Sequence, residues 1–139
     1  MKYPVILFIL TLTSSVLCPA QEAYTKAVSV RTLLKTSSDV SGRPVRYPTS
    51  GTPELTSVLV EIPVGQNTGW HSHPNPSVEY ILQGQITVED ARGVKRSFAA
   101  GDSFAELVNL KHCGYNTGKV PVKIVMMVAG QAGTPISKK

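Results

Sequence analysis

Apolar and polar residues alternate along most of this chain with a period of two, the pattern of strands covered on one face. From Leu55 to Ile62 the apolar positions Val58, Val60 and Ile62 share a face, and Pro63-Val64-Gly65 closes the segment. Tyr80-Ile81-Leu82 runs into Gln83-Gly84, and Gln85 to Glu89 resumes with Ile86 and Val88 on one face, which predicts a hairpin. Asp90-Ala91-Arg92-Gly93 turns the chain again and Val94 to Ala99 returns. Gly101-Asp102 then opens two more strands, one through Phe104 and one from His112 to Asn116. Val122 to Val128 is almost continuously apolar, which predicts a strand buried on both faces. Short, evenly spaced strands with Gly- and Pro-bearing turns and no helical period predict an all-β sandwich or barrel.

At 139 residues the chain is long enough for one buried core. Its first stretch reads differently from the rest. Met1-Lys2 is a short positive start, Val5 to Leu12 is apolar, and Cys18-Pro19-Ala20 offers small residues before the polar Gln21-Glu22. These features predict a secretory signal peptide over residues 1–20, with export to the periplasm or beyond. The apolar run falls short of the roughly 20 residues that span a bilayer, so no membrane span is expected after cleavage. Residues 21–54 read as an N-terminal strand, in the alternation of Ala27 to Leu34, followed by a wrapping loop rich in Ser, Gly, Pro and Thr. Residues 55–130 form the barrel and residues 131–139 a tail.

Cleavage after Ala20 leaves Cys113 as the single cysteine, so no intrachain disulfide can form and the fold rests on its core and on any bound metal. Cys113 follows His112 and faces the other side of its strand, where a buried, inert thiol is expected. The formal charge of +5 is spread along the chain without a basic stripe or interleaved aromatics. Nucleic-acid binding is therefore not expected, and the charge supports only mild attraction to anionic surfaces.

The three histidines carry the candidate chemistry. His71 and His73 stand two apart, so on a strand they project to one side, about 6.6–6.8 Å apart along its axis. His112, from a later strand, completes the minimum set that holds a divalent metal with a position open. Trp70 reads as a packing residue at the rim. Tyr80 faces away from Glu79 and reads as core between sheets.

Two stretches resemble the paired motifs of the cupin superfamily. In the first, Gly65, His71, His73 and Gly84 fall at the family's positions, and in the second Gly101, His112 and Asn116 do. The resemblance covers Leu55 to Val128 and implies a single jelly-roll β-barrel with a metal in its mouth. The family's glutamate ligand falls at Ser77, with Glu79 two residues on and on the same face, too far along for an easy reach unless the strand bulges near Pro74 and Pro76. The Pro-x-Gly of the second motif is replaced by Leu107-Val108-Asn109, directly after Glu106.

His71, His73 and His112 are thus the expected metal ligands, with Glu79, Glu106 or water completing the site and either carboxylate a candidate acid or base. Imidazoles suit Fe, Ni, Cu or Zn, and an added carboxylate favours Mn or Fe, so the cofactor is expected to be a divalent transition metal. Because ligation needs neutral imidazole, affinity is expected to fall as the pH drops through about 6.5. The resemblance implies a metal-dependent enzyme acting on a small organic molecule, dioxygenase chemistry foremost, and the alternative is a non-catalytic barrel that captures a small ligand or metal. It also implies a homodimer, formed through sheet edges or an exchanged N-terminal strand.

Overall fold

The structure is a computed structural model that describes residues 27–139; the expected signal peptide and Cys18 lie outside the described residues. Residues 27–31 group apart from residues 32–139 and carry no strand. The alternation of Ala27 to Leu34 accordingly does not produce a strand within the single chain. Among the described residues, no helix is long and apolar enough to cross a membrane.

Seven strands build the fold: β1 (Pro53–Ile62), β2 (Ser77–Gln83), β3 (Gln85–Asp90), β4 (Lys95–Ala99), β5 (Ser103–Ala105), β6 (His112–Tyr115) and β7 (Val122–Gln131). Every pairing is antiparallel, in a four-stranded sheet ordered β1-β7-β2-β5 and a three-stranded sheet ordered β4-β3-β6. This is the all-β jelly-roll arrangement. The core lies between the sheets, with Ile62, Ile81, Phe104, Val122 and Ile124 from the first meeting Ile86 and Val88 from the second. Phe98 of β4 stacks on Phe104 of β5 with ring centroids 3.8 Å apart, tying the sheets at one end.

The expected hairpin at Gln83-Gly84 does not form. β2 and β3 belong to different sheets, and the single residue between them is a corner. Gly84 has φ of 81°, and a Cβ there would lie 2.9 Å from the Pro121 carbonyl oxygen, so only glycine fits. A two-residue turn would fold the chain back onto its own sheet; one glycine pressed against the start of β7 redirects it into the other.

The hairpin over Asp90-Ala91-Arg92-Gly93 does form. The buried Asp90 carboxylate accepts the Arg92 and Val94 amides at 2.9 and 3.3 Å and pairs with the Arg92 and Arg96 guanidinium groups. Those hydrogen bonds, with Arg92 foremost, outweigh the effect of burial and hold its pKa well below the usual carboxylate range.

β7 is not covered on both faces. Val122, Ile124, Met126 and Val128 point into the core, while Met127, 47% exposed, faces outward beside Leu55 and Leu59 of β1. Tyr80 likewise stands half-buried on this outer face rather than between the sheets, opposite Val125. A central strand next to apolar neighbours on both edges carries the same run of residues as one sandwiched between layers, which is why the run misled.

Candidate metal centre

The approach to β2, residues 65 to 73, lies along β6, and this pairing creates the site. Thr68 donates its amide to the Gly114 carbonyl at 3.0 Å, and His71 and His112 exchange both backbone hydrogen bonds, at 3.0 and 2.8 Å. A Cβ at Gly114 would meet the Ile86 side chain at 2.7 Å and the Thr68 methyl at 3.4 Å, so glycine leaves room for both. His73 sits one pleat further on, and its carbonyl accepts the Asn109 amide at 2.9 Å. Asn109 takes a positive φ of 52° in the loop before β6, at the position where the family's motif has glycine.

The three expected ligands converge. Their ring centroids are 4.5 to 5.1 Å apart, and one nitrogen from each lies within 4.8 Å of the others. Each ring is oriented by a backbone carbonyl: Gly69 for His71, Ile136 for His73 and Leu110 for His112, at 2.8, 2.9 and 2.8 Å. A carbonyl oxygen only accepts, so Nδ1 carries the proton in all three and Nε2 is left as a bare lone pair. His112 Nε2 is buried and meets no hydrogen-bond partner in the protein. A buried, orphaned acceptor costs free energy unless something occupies it. Three ring nitrogens within 4.8 Å of one another, that of His112 buried and orphaned and each ring backed by a carbonyl, have the donor chemistry of a metal site.

Burial, reinforced by the neighbouring imidazoles, lowers the pKa of His73 and takes that of His112 down to about 4. At His112, therefore, proton competition against a metal begins far below the pH of about 6.5 that an ordinary histidine would give. The difference from the sequence expectation is one of desolvation.

Both candidate carboxylates reach the same cavity, whose volume is about 80 Å³ and whose walls include Val60, Phe104, Ile124 and Met126. Glu79 on β2 and Glu106, next after β5, are buried. Neither joins the close group of ligand nitrogens, but Glu106 Oε2 is 3.9 Å from His112 Nε2. Glu79 is held the other way: the Ser77 hydroxyl, at the family's glutamate position, donates to Glu79 Oε1 at 2.8 Å. The irregularity in β2 lies between Ile81 and Gln83, beyond Glu79, and so does not bring Glu79 toward the histidines. Burial first, and the neighbouring Glu106 second, push the Glu79 carboxyl up to about 8, against the pull of the Ser77 bond. Burial pushes Glu106 up to about 7, partly offset by the Leu107 amide donating to it at 2.8 Å.

The remaining sequence-predicted residues have structural places. Asn116 is a clamp, donating to the Ile62 and Val120 carbonyls at 2.9 Å and accepting the Gly118 amide at 3.0 Å. Cys113 is buried with its sulfur against Asn67, as expected of an inert thiol. Trp70, 44% exposed, lines the outer mouth. Two contributors carried no sequence signal. Thr68 bridges the Gly114 amide and the cavity wall. The tail supplies the Ile136 carbonyl, a main-chain group that no motif records.

No curated protein sequence matches the chain. Among solved structures it is similar to a protein with a double-stranded β-helix domain from Klebsiella pneumoniae, with 25% identity and a TM-score of 0.52 over 68% of this chain and 91% of that one. The cupin domain of Cnp3 from Schizosaccharomyces pombe shares 20% identity at a TM-score of 0.52, with 63% of this chain and 64% of that one covered. The DMSP lyase DddQ from Ruegeria pomeroyi shares 22% identity at the same score, with 58% of this chain covered. The chain spans only 41% of that lyase, and at these identities the last two show the fold alone. The sequence pattern of the family described as "Cupin domain" matches residues 58–128, which hold five of the seven strands entire and every candidate ligand of the site, and on that match the chain belongs to the cupin family.

Proposed function

We propose that this protein is a metal-dependent enzyme acting on a small organic molecule, with His71, His73 and His112 as ligands and Glu79 and Glu106 as its proton-handling groups. The observation that carries the reading is that two buried carboxyls with raised pKa share one cavity with three Nε2 lone pairs. A non-catalytic barrel needs only the lone pairs; carboxyls poised to give and take protons near neutrality suit general acid–base work.

A bound transition metal would supply Lewis acidity and, if redox-active, a route for electrons to dioxygen, which makes dioxygenase chemistry the reaction we propose first. The protein's own residues do the rest. Glu106, nearest to His112, is placed to hold a proton beside the ligand set or to join it. Glu79, oriented by Ser77, holds its proton in the same cavity, near Glu106. Val60, Phe104, Ile124 and Met126 keep bulk water from the carboxyls. The small cavity admits a compact substrate or one end of a longer one.

Export follows in this proposal from residues 1–20, and a homodimer from the apolar outer face around Leu55, Leu59 and Met127. Elemental analysis of untagged protein beside His73→Ala tests the metal. About one equivalent in the wild type, lost in the variant, supports the reading and directs oxygen-uptake screens. No metal in either after reloading at pH 8 rules it out in favour of a metal-free binding barrel.

A further inference from the structure

The segment after β7 is more than a tail. Ser72, between the two ligands of the first motif, exchanges backbone hydrogen bonds with Lys138, each at 2.9 Å. This short ladder seats the Ile136 carbonyl 2.9 Å from His73 Nδ1. His71 and His112 draw their orienting carbonyls from residues two positions away, Gly69 and Leu110. His73 draws its own from a residue 63 positions away. The same segment forms part of the outer mouth, where Ile136, Ser137 and Lys139 stand across from Val58 and Trp70.

We infer that Ile136 to Lys138 is a strap that positions His73: the strand-like pairing with Ser72 fixes the Ile136 carbonyl, and that carbonyl fixes both the ring plane and the proton of His73. Released from it, the imidazole is free to rotate about its side-chain bonds and to place the proton on Nε2, the nitrogen that faces the other two ligands. Orienting partners of this kind change metal affinity by about 10–100-fold. The role in metal holding rests on the function proposed above, whereas the control of the ring and its tautomer does not.

Two variants of the full chain test the strap: deletion of residues 136–139, and Lys138→Pro, which removes the amide that bonds Ser72 while leaving Ile136 in place. In metal-free protein, nitrogen NMR of the imidazoles reads each tautomer. The wild type is expected to show His73 protonated at Nδ1, and both variants a mixture with Nε2–H, with His71 and His112 unchanged. Titration with Zn²⁺ against a chelator should then give affinity 10–100-fold weaker in the variants. A purely structural tail would shift the melting temperature without singling out His73. If the His73 tautomer is the same in all three proteins, or if it changes while Zn²⁺ affinity stays within twofold, the proposal is overturned. Should the deletion fail to fold, Lys138→Pro decides. Should the full chain bind no Zn²⁺, the metal reading fails, and the tautomer alone decides the strap.

Discussion

His71 and His112 are joined by two backbone hydrogen bonds, at 3.0 and 2.8 Å, so the main chain itself holds their rings 4.5 Å apart between centroids. The side chains are then dispensable for the pairing, whereas the proposed ligation depends on them. His71→Ala should keep the fold while metal affinity falls by at least about 100-fold, the upper end of what losing an outer partner costs. Circular dichroism with a chelator-competition titration checks both halves, and full affinity in the variant would exclude His71 from the ligands.

Glu79 lies apart from the close group of ligand nitrogens. Glu79→Gln should therefore retain metal and lose activity, by about 10²–10⁴-fold if it transfers a proton in the reaction. Metal content and turnover, measured on one preparation once a substrate is in hand, decide the matter. Loss of the metal itself would make Glu79 a ligand instead.

The two carboxyls also make the metal-free protein pH-sensitive. Glu79 rises from 4.5 to about 8 on folding and Glu106 to about 7, so the folded state keeps protons that the unfolded chain has released. Their contribution is complete below pH 4.5 and is lost as the pH rises through those values. His112 runs oppositely, since its folded value of about 4 lies below 6.5, and its contribution is lost only on acidification through that window. Urea unfolding of the metal-free protein should thus show stability falling between pH 6.5 and 8.5, with Glu79→Gln flattening much of the slope. A wild-type profile that is level over this range would contradict the assignment.

Gly84→Ala should destabilise the protein by about 2–4 kcal/mol, combining a left-handed backbone with overpacking against Pro121. The added methyl would lie 2.9 Å from the Pro121 carbonyl oxygen and 3.1 Å from the Val122 Cα, and neither backbone can move without shifting β7. Denaturant midpoints measure it, and a change under 0.5 kcal/mol would mean that the corner relaxes freely.

Asp90→Asn should cost about 2–3 kcal/mol, because hydrogen bonds to a charged group are the strong ones and the carboxylate serves two amides and two guanidinium groups. The same unfolding measurement applies, at an ionic strength where exposed ion pairs are screened.

What the sequence made legible is what local periodicity encodes. Alternation located β1 and β3, a nearly continuous apolar run located β7, and the Asp-x-x-Gly turn announced the β3–β4 hairpin. The spacing of His71, His73 and His112 announced three imidazoles that converge where a metal could be held. Sheet membership stayed hidden at Gly84, since a corner and a turn share the same residue and only the distant Pro121 distinguishes them. Burial on one face or two stayed hidden in β7, because Met127 looks the same whether it is covered or not. Glu79 was placed in the cavity by parity, but its attachment to Ser77 rather than to the histidines is a matter of rotamer, on which a sequence is silent. The Ile136 carbonyl was invisible in principle, being a group that every residue carries.

The Ser72–Lys138 ladder also makes one ring depend on the whole barrel. His71 and His112 take their orienting carbonyls from two residues away, so each is set as soon as its own local turn forms. His73 is set by a contact 63 positions apart, which costs loop-closure entropy and is reached only once distant parts of the chain have come together. Its orientation is therefore the first to be lost when the barrel loosens and the last to be gained when it closes.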